Sequence, residues 1–114
     1  SVVNKDALVR FEQLIDDYFL HHAQTEGLPS VAYFADKICL SANYFGDLIK
    51  KETGKSAIEY IQLKTMAIAK DMLTNSNKTV TEIAYELGFQ YPQHFVRSFK
   101  KRIGCTPTEY RLQA

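Results

Sequence analysis

The sequence has little of what organises a secreted, membrane-bound or metal-built protein. Only two cysteines occur in 114 residues, Cys39 and Cys105, with no CxxC pair and no Cys/His ligand spacing around either. That excludes a disulfide framework or a zinc module. The expectation is two small, buried, inert thiols in a reducing compartment. No stretch approaches the roughly 18 apolar residues that a membrane span needs, and Ser1–Asp6 does not form a signal peptide. The chain therefore reads as cytoplasmic, with no membrane contact by this segment. Strand-like alternation of apolar and polar residues is nearly absent, which argues against a β-sheet. Charge of one sign is also missing, since the formal net charge is +1.

What is present is apolar matter in helical register. Hydrophobic residues make up 46%, with 7 Phe and 7 Tyr, enough for a real core and too many for intrinsic disorder. The length suits one domain or two very small ones. The small net charge hides a gradient: residues 1–40 hold 3 basic and 6 acidic side chains, and residues 41–114 hold 11 and 7. Arg97–Arg102 alone carries four basic residues and no acidic one. Such a run is commonly a solvated helix face, but it is also what a phosphate-facing patch requires.

Start and stop chemistry divides the chain into seven helices. Leu8, Phe11, Leu14, Ile15, Tyr18 and Phe19 mark a first helix over 5–25, ending before Gly27 and Pro29. Ser30 caps a short second helix with Val31, Phe34, Ala35 and Ile38. Ser41 caps a third, with Tyr44, Phe45, Leu48 and Ile49 expected inward and Gly54 as its stop. Ser56 and Glu59 read as a capping box opening a long fourth helix with the inner stripe Ile58, Ile61, Ile68 and Met72. Thr79 and Glu82 open a fifth with Ile83, Ala84 and Leu87. Pro92 opens a sixth, with Phe95, Phe99 and Ile103 inward. Thr106, Pro107 and Glu109 begin a last short one. The expected fold is all-α.

Two stretches repeat a pattern. Residues 31–50 and 79–101 each read short helix, tight turn, helix. Ala84 precedes Gly88 by four: a small residue for close helix approach, then one that tolerates positive φ in the turn. Ala35 and Cys39 hold the equivalent places, and cysteine there implies either a strained turn or a wider one. The organisation expected is two helix-turn-helix units, about 31–54 and 79–103, joined by a linker helix over 56–74. Residues 1–29 form an N-terminal linker helix region, and 30–114 form the domain proper. A connecting helix of about 27 Å, at ~1.5 Å per residue, is of the order of the ~34 Å between major-groove faces on one side of B-DNA.

The segments YFGDLIKKETGKSAIEYIQLKTMAIAKDML and TVTEIAYELGFQYPQHFVRSFKKRIGCTPTEYR resemble the DNA-binding domain of the AraC/XylS family of transcription regulators. The resemblance covers about residues 30–112 and is most specific in IAYELGF, FVRSFKKRIGCTPTEYR and LIKKETGKS. It implies a bacterial regulator that binds promoter duplex DNA, with RNA polymerase as a further partner. A dimer through a missing N-terminal domain or through the first helix is left open.

On the sixth helix the face opposite Phe95 and Phe99 offers Gln93, His94 and Arg97 to base edges, since Gln pairs bidentately with adenine and Arg with guanine. Ser98, Lys100, Lys101 and Arg102 are phosphate candidates. On the third helix Asn43, Gly46 and Asp47 hold the base-reading places. Gly46 cannot reach a base, and Asp47 repels phosphate but can accept from cytosine N4. Ser41, Lys50, Lys51 and Lys55 are its phosphate candidates, and the second unit is expected to carry more specificity.

Other motifs lead nowhere. Gly54-Lys55-Ser56 resembles the end of a P-loop, but Ile49 stands where that loop needs glycine and a helix precedes it instead of a strand. His21 and His22 are adjacent, diverge on a helix and lack a third metal ligand. Asn77-Lys78-Thr79 is a glycosylation sequon without secretion. No nucleophile, acid–base pair or cofactor site can be assembled, so no catalytic residue, metal or cofactor is expected. The alternative function is a helical protein-interaction module built around the acidic first helix. The apolar stripe of that helix suits ordinary core packing better.

Overall fold

The computed structural model describes residues 2–114, and every regular element among them is helical. The helices are α1 (Val2–His21), α2 (Ala23–Glu26), α3 (Val31–Lys37), α4 (Ala42–Thr53), α5 (Ala57–Asn75), α6 (Val80–Glu86), α7 (Pro92–Ile103) and α8 (Pro107–Gln113). The first helix expected over 5–25 is interrupted at His22, where φ is −124°. That break alone turns the expected seven helices into eight. Beyond it Ala23 is fully buried in the core that α1 begins.

The boundaries follow from capping. The side-chain oxygens of Ser30, Ser41, Ser56, Thr79 and Thr106 each accept from the backbone N–H three residues on, at 3.0–3.2 Å. Thr79 and Thr106 belong to complete capping boxes, with Glu82 and Glu109 accepting from the cap N–H at 2.9 Å. At Ser56 the box is only half made, because the return bond from Glu59 does not form. Gly54 and Gly104 close α4 and α7 in left-handed conformation.

Apolar residues gather in two cores. Phe11, Ile15 and Tyr18 of α1 meet Phe34 and Ala35 of α3, then Phe45, Leu48 and Ile49 of α4, over Ala57 and Ile61 at the start of α5. Met66, Ala69 and Leu73, further along α5, meet Ile83, Ala84 and Leu87, then Phe89, Phe95 and Phe99. The α5 helix thus carries a short-helix, turn, helix pair at each end. Its 19 residues span about 28 Å at ~1.5 Å each. At its far end the Arg111 guanidinium donates to the carbonyls of Leu73 and Ser76, satisfying part of the helix C-terminus.

The pairs α3–α4 and α6–α7 share one turn geometry. The N–H of Cys39 bonds the Asp36 carbonyl and that of Leu40 the Ala35 carbonyl, at 3.0 and 2.9 Å. Gly88 and Phe89 repeat this with Tyr85 and Ala84, both at 3.0 Å. Of the two outcomes expected for cysteine at this place, the strained turn is the one found: Cys39 has φ +65°.

Four expectations of burial are corrected. Tyr44 is 58% exposed and Ile58 45%. The inward stripe of α4 is Phe45, Leu48 and Ile49, one step round the helix from Tyr44. The inward stripe of α5 starts at Ala57 and runs through Ile61, Thr65, Met66, Ala69 and Leu73, which turns Ile58 out. Cys39 is exposed, because a turn residue at positive φ points its side chain away from both helices, and Cys105 is half-buried.

Candidate nucleic-acid interface

Helices α4 and α7 are both twelve residues long, and each residue of α4 has its counterpart fifty positions later in α7. Phe45 and Phe95 are fully buried, as are Ile49 and Phe99. Both helices therefore seat on their cores through the same positions, and the same positions of each face outward.

On α7 the outward face is centred on Arg97. Gln93 and Lys100 flank it on one side and His94 and Lys101 on the other, and all five are exposed. Among the described residues no ion pair engages Arg97, Lys100 or Lys101, so their charge is directed to solvent. His94 rests edge-on against the Tyr91 ring, with centroids 5.3 Å apart. Ser98 and Arg102 sit at the border of the face. Ser98 is half-buried and lines an apolar hollow with Leu28, Ile58, Ile61 and Phe89. The Arg102 guanidinium donates to the side-chain oxygen of Gln62 on α5, which joins the recognition-like helix to the spacer.

On α4 the same construction puts Asp47 at the centre, with Asn43 and Lys50 on one flank and Tyr44 and Lys51 on the other. Gly46 lies at the border and a Cβ added there would meet nothing within 4 Å. Ser41 accepts from the Tyr44 N–H and keeps its hydroxyl proton for an outside acceptor. Lys55 lies beyond the helix, where its backbone is tied to the Thr53 hydroxyl. The centres of the two faces thus carry opposite charges, Asp47 against Arg97.

Two exposed residues of this surface were not singled out from the sequence. Tyr44 occupies on α4 the place that His94 holds on α7, and it shares a shallow cleft with Asp47, Leu48 and Lys51. Tyr91, the residue before α7, is 48% exposed beside His94. The fifty-residue correspondence would have revealed Tyr44, because Phe45 and Phe95 align only when Tyr44 and His94 do.

Chemically, the two faces offer amide, guanidinium, imidazole, carboxylate and phenol groups at the N-terminal halves of two helices, with lysines towards their C-terminal ends. That set suits hydrogen bonding to base edges flanked by phosphate contacts. Among the described residues no group of three or more His, Cys, Asp or Glu side chains could hold a metal ion.

Residues 34–113 match a family model described as a helix-turn-helix domain. The chain is 33% identical over 113 residues to the HTH-type transcriptional regulator YtdP of Bacillus subtilis, covering 97% of this chain and 14% of that protein. The first curated relatives are all longer, and the chain spans 14–39% of their lengths. Among solved structures it is similar to the C-terminal domain of AraT, a response regulator from Geobacillus stearothermophilus. The TM-score is 0.79 at 27% identity, covering 95% of this chain and 85% of that one. It shares its fold with the DNA-binding domain of AdpA, a global transcriptional factor solved with a target DNA. There the TM-score is 0.73 at 22% identity, covering 89% of each chain.

Proposed function

The chain belongs to the AraC-type helix-turn-helix family of DNA-binding transcription regulators, and from that premise we propose how it reads a promoter. Helices α4 and α7 enter successive major grooves on one side of a single duplex, held apart by α5. The observation that carries this is the face centred on Arg97: five exposed polar or basic side chains on a helix whose opposite side is locked into the core by Phe95 and Phe99.

Gln93, His94 and Arg97 read bases from α7. Asn43 and Asp47 read them from α4, where Gly46 lets the backbone approach and Tyr44 adds an aromatic edge. Lys50, Lys51, Lys100 and Lys101 neutralise phosphates and set the register, with Ser41, Lys55, Ser98 and Arg102 at the margins. The opposite central charges divide the labour. Arg97 is drawn to the negative groove and can pair bidentately with guanine, whereas Asp47 is repelled by phosphate and contributes by accepting from cytosine.

Residues 31–54 and 79–103 are the two reading units, 56–74 the spacer, and 1–29 an N-terminal region that completes the first core. Such a regulator acts in the cytoplasm, on the chromosome. Binding beside a promoter would bring its outer surface within reach of RNA polymerase, the partner that the resemblance implies. Phe11 and Ile15 of α1 are taken up by the core, so a pairing of two chains through this helix would have to use its exposed Val9 and Leu20.

The test uses a duplex selected from a random library. Arg97→Ala lowers preference for the best base at one half-site by about 1–3 kcal/mol, roughly 5- to 150-fold, and leaves the other half-site unchanged. Asp47→Ala has the smaller effect on preference. If Asp47→Ala shifts sequence preference more than Arg97→Ala does, the assignment of specificity to the second unit is wrong.

A further inference from the structure

The segment ahead of the first helix pair meets the second one, and at one point the approach is very close. A Cβ added to Gly88 would lie 2.5 Å from the carbonyl carbon of Gly27, 2.6 Å from its oxygen and 2.8 Å from the Leu28 nitrogen. These are backbone atoms, which cannot step aside as the end of a flexible side chain can. The contact is specific to one copy of the turn: Cys39, the counterpart of Gly88, carries its side chain in the open. Gly27 is held from behind as well. The Tyr18 hydroxyl, on a side chain 3% exposed, donates to the Gly27 carbonyl at 2.7 Å. Near this seam α2 lies against α6, and Phe19 of α1 packs against both cores.

We propose that the Gly27–Gly88 contact, backed by Tyr18, is a lock that fixes the orientation of the second reading helix relative to the first. The spacer α5 joins the two units along one axis, and a single axis leaves rocking and twisting about it. The glycine contact is a second tie away from that axis. It closes a ring through α1, α2, the α6–α7 turn and α5. Hydrogen is the only side chain that admits this approach, so Gly88 serves closeness as well as its φ of +95°. The inference rests on the two-groove reading above for its consequence on DNA. Tyr18, Gly27 and Gly88 are positioning residues: none lies on the faces centred on Asp47 and Arg97. Tyr18 and Gly27 also precede the segment 34–113 that matches the family model.

Residual dipolar couplings of the whole chain test the lock without DNA. In the wild type one alignment tensor fits α3–α4 and α6–α7 together. Gly88→Ala, provided its far-ultraviolet circular dichroism stays native, requires a separate tensor for each pair. Gly104→Ala is the control. It places alanine at a similar φ of +98° with nothing within 4 Å of its Cβ, and it keeps one tensor. If Gly88→Ala fails to fold, Tyr18→Phe, which removes only the hydroxyl behind Gly27, replaces it with the same expectation. One tensor in the deciding variant, or two in the wild type or in Gly104→Ala, overturns the inference. On a selected duplex, two linked modules favour paired half-sites over a single one by roughly 10²–10⁴. Tyr18→Phe cuts that preference about tenfold and leaves single-half-site binding unchanged; an unaltered preference contradicts the lock. Failure of the wild type to select any duplex would instead defeat the two-groove reading and leave the coupling result standing.

Discussion

At the scale of the residue, two related positions respond in opposite ways to substitution. Cys39 and Gly88 sit in the same hydrogen-bonded turn, both at positive φ. For a residue with a Cβ the left-handed region costs about 1–2 kcal/mol. Replacement by glycine recovers that and gives back part of it as greater freedom of the unfolded chain. Cys39→Gly is therefore expected to stabilise the domain by up to about 1 kcal/mol in urea denaturation. Gly88→Ala incurs strain of order 1–3 kcal/mol and a backbone collision besides, so it destabilises by at least about 2 kcal/mol. A destabilised Cys39→Gly would show that its thiol makes a contact the fold needs. The cysteine was legible as an anomaly because the Ala-xxx-Gly spacing of the second copy named the residue expected there. Its exposure was not legible: cysteine is buried often enough for composition to suggest burial, and only the backbone conformation points this one outward.

At the scale of the element, the caps were the most readable features, since each is a local bond between residues three apart. All five Ser/Thr caps form, and each helix of the two pairs starts within a residue of the place its cap or Pro92 indicates. Helix faces were less readable. Tyr44 and Ile58 are apolar neighbours of true core positions, and a stripe wide enough to include them fits the same periodicity. Which edge of the stripe is buried depends on the partner helix, a tertiary fact. The break at His22 is likewise invisible to periodicity, because Leu8 through Phe19 keep their register up to it. The capping boxes carry a pH dependence. Bonds from the Thr106 backbone and then its side chain, with nearby Lys100, hold the Glu109 carboxyl below the usual carboxylate range; Thr79 does the same for Glu82, aided by Lys78. A carboxyl with a depressed folded value stabilises the fold above its unfolded value, about 4.3, and loses that contribution as pH falls through the folded one. Glu109→Gln is therefore expected to lower the melting temperature at pH 7 and to flatten its decline as pH falls below the unfolded value. An acid limb as steep as the wild type's would remove Glu109 from that role. Within the second pair, Phe99→Ala deletes a fully buried ring that touches both Phe95 and Tyr110. Its expected cost is about 3–5 kcal/mol, read by chemical denaturation.

At the scale of the molecule, the repeat was legible and its asymmetry only partly so. Two helix-turn-helix patterns, a long helix between them and a basic C-terminal end could all be read directly from residue order. The tie from Gly27 to Gly88 could not, because it joins residues 61 positions apart and depends on a missing side chain. The faces of α4 and α7 were found by placing polar residues opposite Phe45 and Phe95. The structure refines them by drawing Ser98 and Arg102 to the border, toward α5. The basic groups left facing solvent determine how DNA binding should respond to salt. Each phosphate neutralised on a duplex contributes about −0.9 to the slope of log K against log salt. Lys50, Lys51, Lys100 and Lys101 together give a slope of roughly −3 to −4, and Lys100→Ala should make it shallower by about one.

The most direct measurement is selection of bound sites from a random duplex library by the wild-type chain, with the winner's affinity then followed against salt. The expected result is an enriched sequence with two half-sites about one helical turn apart and affinity that falls steeply as salt rises. No enriched sequence, together with a flat salt response, would contradict it and turn attention to the helices as a protein-interaction surface.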